Sequence, residues 1–210
     1  MRVAVLAVWL FASTSYASII VNDAYQYGLV QSPAKSFLVD SPTAGNWPLS
    51  VDAANAALTV DFANGINLTA NASTFSSLNG FSFAVIQTSV QFDVFNVPAL
   101  VSFRTTQNWS FNGQKPDASF SIKDLLTDQY VLNYSDAATV TNYQLQPGHY
   151  EISSQLLAST SSSGNYSNSK LTYSVVPEVS PLLLMPLTAG LFITPPIFKR
   201  TRFGVTRKEV

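Results

Sequence analysis

The chain of 210 residues holds one histidine, His149, and no cysteine. Serine-type catalysis needs a base beside the hydroxyl, usually a histidine. His149 follows a Pro147-Gly148 turn and lies on the polar side of the Tyr150/Ile152 alternation. No Gly-x-Ser-x-Gly elbow accompanies it, so it reads as a solvent-facing turn residue. Glycoside hydrolysis needs two carboxylates held across a cleft. Asp61, Asp93 and Glu151 are instead scattered over polar strand faces, where they serve solubility. Asp117, Asp124 and Asp128 surround a loop and could offer oxygen ligands to calcium. They lack the Asp-x-Asp-x-Asp-Gly pattern of a calcium loop, and no metal or cofactor is predicted. Trp47, Trp109, Tyr25 and Tyr27 could supply flat rings for stacking on sugars, against the plainer role of packing a core or its rim. Without cysteine there is no disulfide frame, thiolate zinc site or thiol nucleophile.

The elements that must carry these residues show a period of two. Leu58, Val60 and Phe62 alternate with Thr59 and Asp61, and Val90, Phe92 and Val94 with Gln91 and Asp93. Tyr150 and Ile152 alternate with His149 and Glu151, and Leu171, Tyr173 and Val175 with Lys170, Thr172 and Ser174. One apolar and one polar face is what a strand covering a core on one side requires. Ile19 to Asn22, Ser36 to Val39, Ala99 to Arg104, Ser119 to Lys123, Tyr130 to Tyr134 and Thr139 to Tyr143 are further strand candidates. About ten strands with no helical stripe predict an all-β fold, an antiparallel β-sandwich of jelly-roll type. Ser159 to Ser169, rich in Ser, Gly and Asn, is expected to be a loop.

Charge separates the body from the ends. Between Ser18 and Val176 five basic residues (Lys35, Arg104, Lys115, Lys123, Lys170) face ten acidic ones, a net of −5. An acidic body repels phosphate backbones and argues against a nucleic-acid partner. At the N-terminus Arg2, the apolar run Val3 to Ala12 and small residues at Ser15 and Ala17 predict a signal peptide over 1–17, cleaved between Ala17 and Ser18. At the other end Val179 to Phe198 is uncharged and, as a helix, about 30 Å long, enough for one transmembrane helix. Lys199, Arg200 and Arg202 follow, which puts 203–210 in the cytoplasm by the positive-inside bias.

Pro177-Glu178-Val179, the leucine-rich span and the basic stop together resemble the PEP-CTERM sorting signal of bacteria, with Val179 where the family usually has a second proline. The resemblance covers 177–202 and implies an exosortase-like processing enzyme as partner. It also implies anchorage in the inner membrane before processing, and then a place at the cell surface or in an extracellular polysaccharide matrix. A leucine, proline-glycine, tyrosine hairpin like Leu145 to Tyr150 also recurs in bodies bearing this signal. The body, 18–176, is accordingly expected to be a non-catalytic structural or adhesive module. The alternatives are a carbohydrate-binding module of the exopolysaccharide matrix and an envelope hydrolase.

Overall fold

The computed structural model describes residues 18–178, apart from 42–44, 76–79, 112 and 137. Every described residue belongs to one compact unit, Met1–Glu178. The expected signal peptide with Ala17, the expected span with Val179, and Lys199, Arg200 and Arg202 lie outside the described residues. Among those described, no helix is long and apolar enough to cross a membrane.

Twelve strands make up the body: β1 (Ser18–Gln31), β2 (Ser36–Ser41), β3 (Trp47–Val51), β4 (Ala54–Asp61), β5 (Ile66–Phe75), β6 (Ser82–Phe95), β7 (Ala99–Trp109), β8 (Asp117–Asp124), β9 (Gln129–Ser135), β10 (Thr139–Leu145), β11 (Gly148–Thr160) and β12 (Tyr166–Pro177). They form two six-stranded antiparallel sheets. Sheet A runs β2-β1-β6-β11-β8-β9 and sheet B runs β10-β7-β12-β5-β4-β3. The last eight strands follow jelly-roll order, β6-β11-β8-β9 over β10-β7-β12-β5, and the pairs β1–β2 and β3–β4 widen one sheet each.

The period-two reading holds along all four segments quoted for it. Leu58, Val90, Phe92, Val94, Tyr150, Ile152, Leu171, Tyr173 and Val175 are buried, while Thr59, Asp61, His149 and Lys170 are exposed. Phe120 from sheet A stacks on Phe103 of sheet B, with ring centroids 4.3 Å apart, and meets Tyr173 of sheet B at 5.3 Å. These rings join the two sheets across the core. Burying such side chains contributes about 1.5–3 kcal/mol each.

Three expectations about local structure change. β3 and β5 have no counterpart in the sequence reading, although β5 alternates Ile66, Leu68, Ala70 and Ala72 with Asn67, Thr69, Asn71 and Ser73. β3 contains Pro48, and β5 buries Ala70, Ala72 and Thr74 beside Ile66 and Leu68. The loop predicted over 159–169 shrinks to 161–165, since Ser167 and Ser169 are small polar residues that point inward and are fully buried. Leu145 to Tyr150 is no hairpin: β10 belongs to sheet B and β11 to sheet A, so Pro147-Gly148 turns the chain from one sheet to the other. The Tyr150 hydroxyl donates to the Gln146 carbonyl at 2.9 Å and holds this corner.

Candidate functional site

Side chains in a strand alternate between the core and the outside, so register decides which polar residues meet. Across sheet B the pairings line up Thr139, Arg104, Thr172, Thr69 and Thr59 on β10, β7, β12, β5 and β4 in turn. The next outward row holds Ser102, Ser174, Asn67 and Asp61. At about 4.8 Å per strand the threonine row spans about 19 Å. These two rows, with Thr141, line a depression of about 550 Å³ on the outer face of sheet B. Its size falls within the roughly 300–1,000 Å³ usual for small-molecule sites.

The polar side chains of this groove are mostly hydroxyls, set among apolar surface to which Leu68, Phe103, Val140 and Tyr173 also contribute. A threonine hydroxyl gives one donor and two acceptors, and its methyl group gives a small apolar contact. Neutral groups of this kind lose less on desolvation than charges do. The charges in the lining are Arg104 and Asp61, three strands apart. Asp61 is the one carboxylate there, whereas paired-carboxylate hydrolysis requires two.

A smaller depression of about 270 Å³ lies on sheet A, between Tyr25, Gln87, Ser89, Ser121, Ser153 and Gln155. Tyr25 is tied to Asp40 by a hydrogen bond, which is the main cause that raises its phenol above the ordinary value. The four aromatic candidates do not form one surface. Tyr25 and Tyr27 share the outer face of β1, whereas the alternating residues Gln26 and Gly28 face inward and meet Trp47. The Trp47 ring nitrogen donates to the Gln26 side-chain oxygen at 3.2 Å, and the ring covers Gly28. The alternation of β1 thus separates Trp47 from the tyrosines. Trp109, 40% exposed, stands at the far end of β7 on the other sheet.

His149 is exposed, as expected, and its Nδ1 pairs with Asp93 Oδ1. Partial burial pushes the Asp93 carboxyl up, but hydrogen bonds to Asn22 and His149 outweigh it and hold the group below its ordinary value of 3.8. Glu151 accepts hydrogen bonds from Ser89 at 2.8 Å and Ser153 at 3.2 Å. The three aspartates considered for calcium do not cluster. Asp117 and Asp124 open and close β8, about 23 Å apart along the strand. Asp124 caps the following turn by accepting from the backbone of Leu126 and Thr127, and Asp128 pairs with Lys123 at 2.5 Å.

At the ends of the described body, Ser18 opens β1 opposite Phe95. Pro177 closes β12 opposite Ala99, and Glu178 donates its N–H to the Pro98 carbonyl at 2.9 Å. The Gln144 amide donates to the Glu178 carboxylate at 2.6 Å. Both residues of the motif that are described are therefore fastened to the rim of the sandwich.

No protein-family model and no curated protein matches the chain. Among solved structures it is similar to the carbohydrate-binding module TmCBM61 in complex with β-1,4-galactotriose, at 10% identity and a TM-score of 0.28, over 58% of this chain and 87% of that one. It is also similar to YcfD, a ribosomal oxygenase from Escherichia coli, at 8% identity and a TM-score of 0.14, over 90% of this chain and 51% of that one. Neither likeness is close enough to transfer a function.

Proposed function

We propose that the protein is an exported, non-catalytic glycan-binding module of the cell surface or matrix, with its C-terminal segment acting as a sorting address. The observation that carries the binding role is the hydroxyl-lined groove across five strands of sheet B. Its rows of threonine, serine and asparagine offer donors and acceptors at the strand spacing, suited to the hydroxyls along a sugar chain. The export and sorting roles rest on the sequence at the two ends, from Arg2 to Ser18 and from Pro177 to Arg202.

Binding is tested on a panel of soluble polysaccharides by affinity electrophoresis or titration calorimetry. Losing one hydroxyl's hydrogen bond is worth about 0.5–1.5 kcal/mol. Thr69→Ala combined with Thr172→Ala is expected to weaken binding roughly tenfold while leaving the melting temperature in place. Retained affinity in that variant would move the site away from sheet B. Sorting is tested by the intact mass of mature protein recovered from the cell surface, where retention of Lys199 to Val210 would rule out processing of the tail.

A further inference from the structure

We infer that the sheet B groove recognises an anionic glycan, one bearing uronic-acid carboxylates, through Arg104 assisted by Lys170. The inference rests on the glycan-binding reading and narrows its ligand class.

Charge is divided unequally between the two sheets. The strands of sheet A carry six acidic residues, Asp23, Asp40, Asp93, Asp117, Asp124 and Glu151, against one base, Lys123. Those of sheet B carry Arg104 and Lys170 against Asp61 alone. Glu178, just past the end of β12, bonds Gln144 of β10 at the rim of the same sheet, so this face is balanced in charge where the other is strongly acidic, and the groove lies on the balanced face.

The two cations of sheet B are available to a ligand. Lys115 and Lys123 are committed to Asp136 and Asp128, at 2.9 and 2.5 Å. Among the described residues no ion pair holds Arg104 or Lys170, and both are exposed. Arg104 stands opposite Thr172 on β12, and Lys170 lies two residues along the same strand on the same face. Diagonal neighbours of this kind are about 7–8 Å apart, close enough to act on one sugar or on two in succession. Asp61 is three strands from Arg104, about 14 Å, which is beyond the Debye length of about 8 Å at physiological ionic strength.

The chemistry fits a carboxylate. A guanidinium presents paired N–H donors that match the two oxygens of a carboxylate, and Arg104 does so beside Thr139 and Thr172, whose hydroxyls can take the sugar's own. The ammonium of Lys170 adds a point charge outside the groove lining. The threonine row then supplies the neutral part of the contact and the cations supply the discrimination.

The test compares three polyuronates, alginate, polygalacturonate and hyaluronan, each with the neutral polymer made from it by carboxyl reduction. The wild-type protein is expected to bind at least one polyuronate about tenfold more tightly than its reduced partner, with a preference that fades as salt is raised. In the double variant Arg104→Gln, Lys170→Gln that ratio is expected to fall to about one, and Arg104→Lys to leave an intermediate value. Equal affinity for both members of every pair, or a preference that survives the double variant, overturns the inference and leaves glycan binding standing. Binding to no member of any pair overturns the glycan-binding reading with it. The substituted residues are exposed, and unchanged melting temperatures separate loss of recognition from loss of fold.

Discussion

Gly28 and Trp47 give the sharpest test of how β1 meets sheet B. Gly28 faces inward on β1, and a Cβ built there would fall on Cη2 of the Trp47 ring and within 2.7–2.8 Å of Cζ3 and Cζ2. Real Cβ atoms do not come that near, so Gly28→Ala must swing the ring away. The swing breaks the 3.2 Å bond from the Trp47 nitrogen to Gln26, a side chain only 2% exposed. Inserting carbon into a packed contact costs about 1–3 kcal/mol. The buried Gln26 oxygen keeps the Gly45 N–H at 3.2 Å as a second partner, which holds the total near the middle of that range. Taking about 2 kcal/mol, and roughly 2–4 °C per kcal/mol for a body of this size, the melting temperature should fall by about 4–8 °C. The assay is thermal unfolding by circular dichroism, paired with tryptophan emission, in which Trp47 should shift to the red as its ring gains solvent. An unchanged melting temperature with unchanged emission would refute the packing of Trp47 on Gly28. It would also return Trp47 to the set of rings free to stack on a ligand.

Phe120→Ala removes a fully buried ring that joins the two sheets through Phe103 and Tyr173, and should cost about 3–5 kcal/mol by urea denaturation. A loss below about 1 kcal/mol would mean that the sheets do not pack through this residue. Asp93, Asp124 and Asp136 all have carboxyls held below the ordinary 3.8: Asp93 by Asn22 and His149 against the opposing effect of burial, Asp124 chiefly by backbone N–H groups, Asp136 chiefly by Lys115. A depressed carboxylate stabilises the fold at pH above its unfolded value and loses that contribution as pH falls through the folded one. Thermal stability should therefore decline below about pH 4, and Asp93→Asn should make the decline shallower. An acid limb identical to wild type in that variant would contradict the assignment for Asp93.

The sequence revealed strands where large apolar residues alternate with polar ones. Val90, Phe92 and Val94 show this, and so do Leu171, Tyr173 and Val175. It was silent at Thr74, Ser167 and Ser169, which carry no hydropathy contrast with their neighbours, and it missed β5 even though Ile66, Leu68, Ala70 and Ala72 alternate there with Asn67, Thr69, Asn71 and Ser73. The groove was hidden for another reason. Thr59, Thr69, Arg104, Thr139 and Thr172 each read as an ordinary outward polar residue, and only the register of five strands far apart in the chain sets them side by side. The sugar-stacking candidates were chosen by residue type, and the pleat then placed Tyr25 and Tyr27 on one side of β1 and Trp47 on the other.

The proposal that sheet B binds glycan is tested most directly by backbone amide NMR of residues 18–178 during titration with oligosaccharides cut from a bound polysaccharide. The account predicts saturable shifts centred on Thr59, Thr69, Arg104, Thr139 and Thr172, with sheet A unmoved. Shifts centred on Tyr25 and Gln87, or saturation of binding with no shift on sheet B, would contradict it.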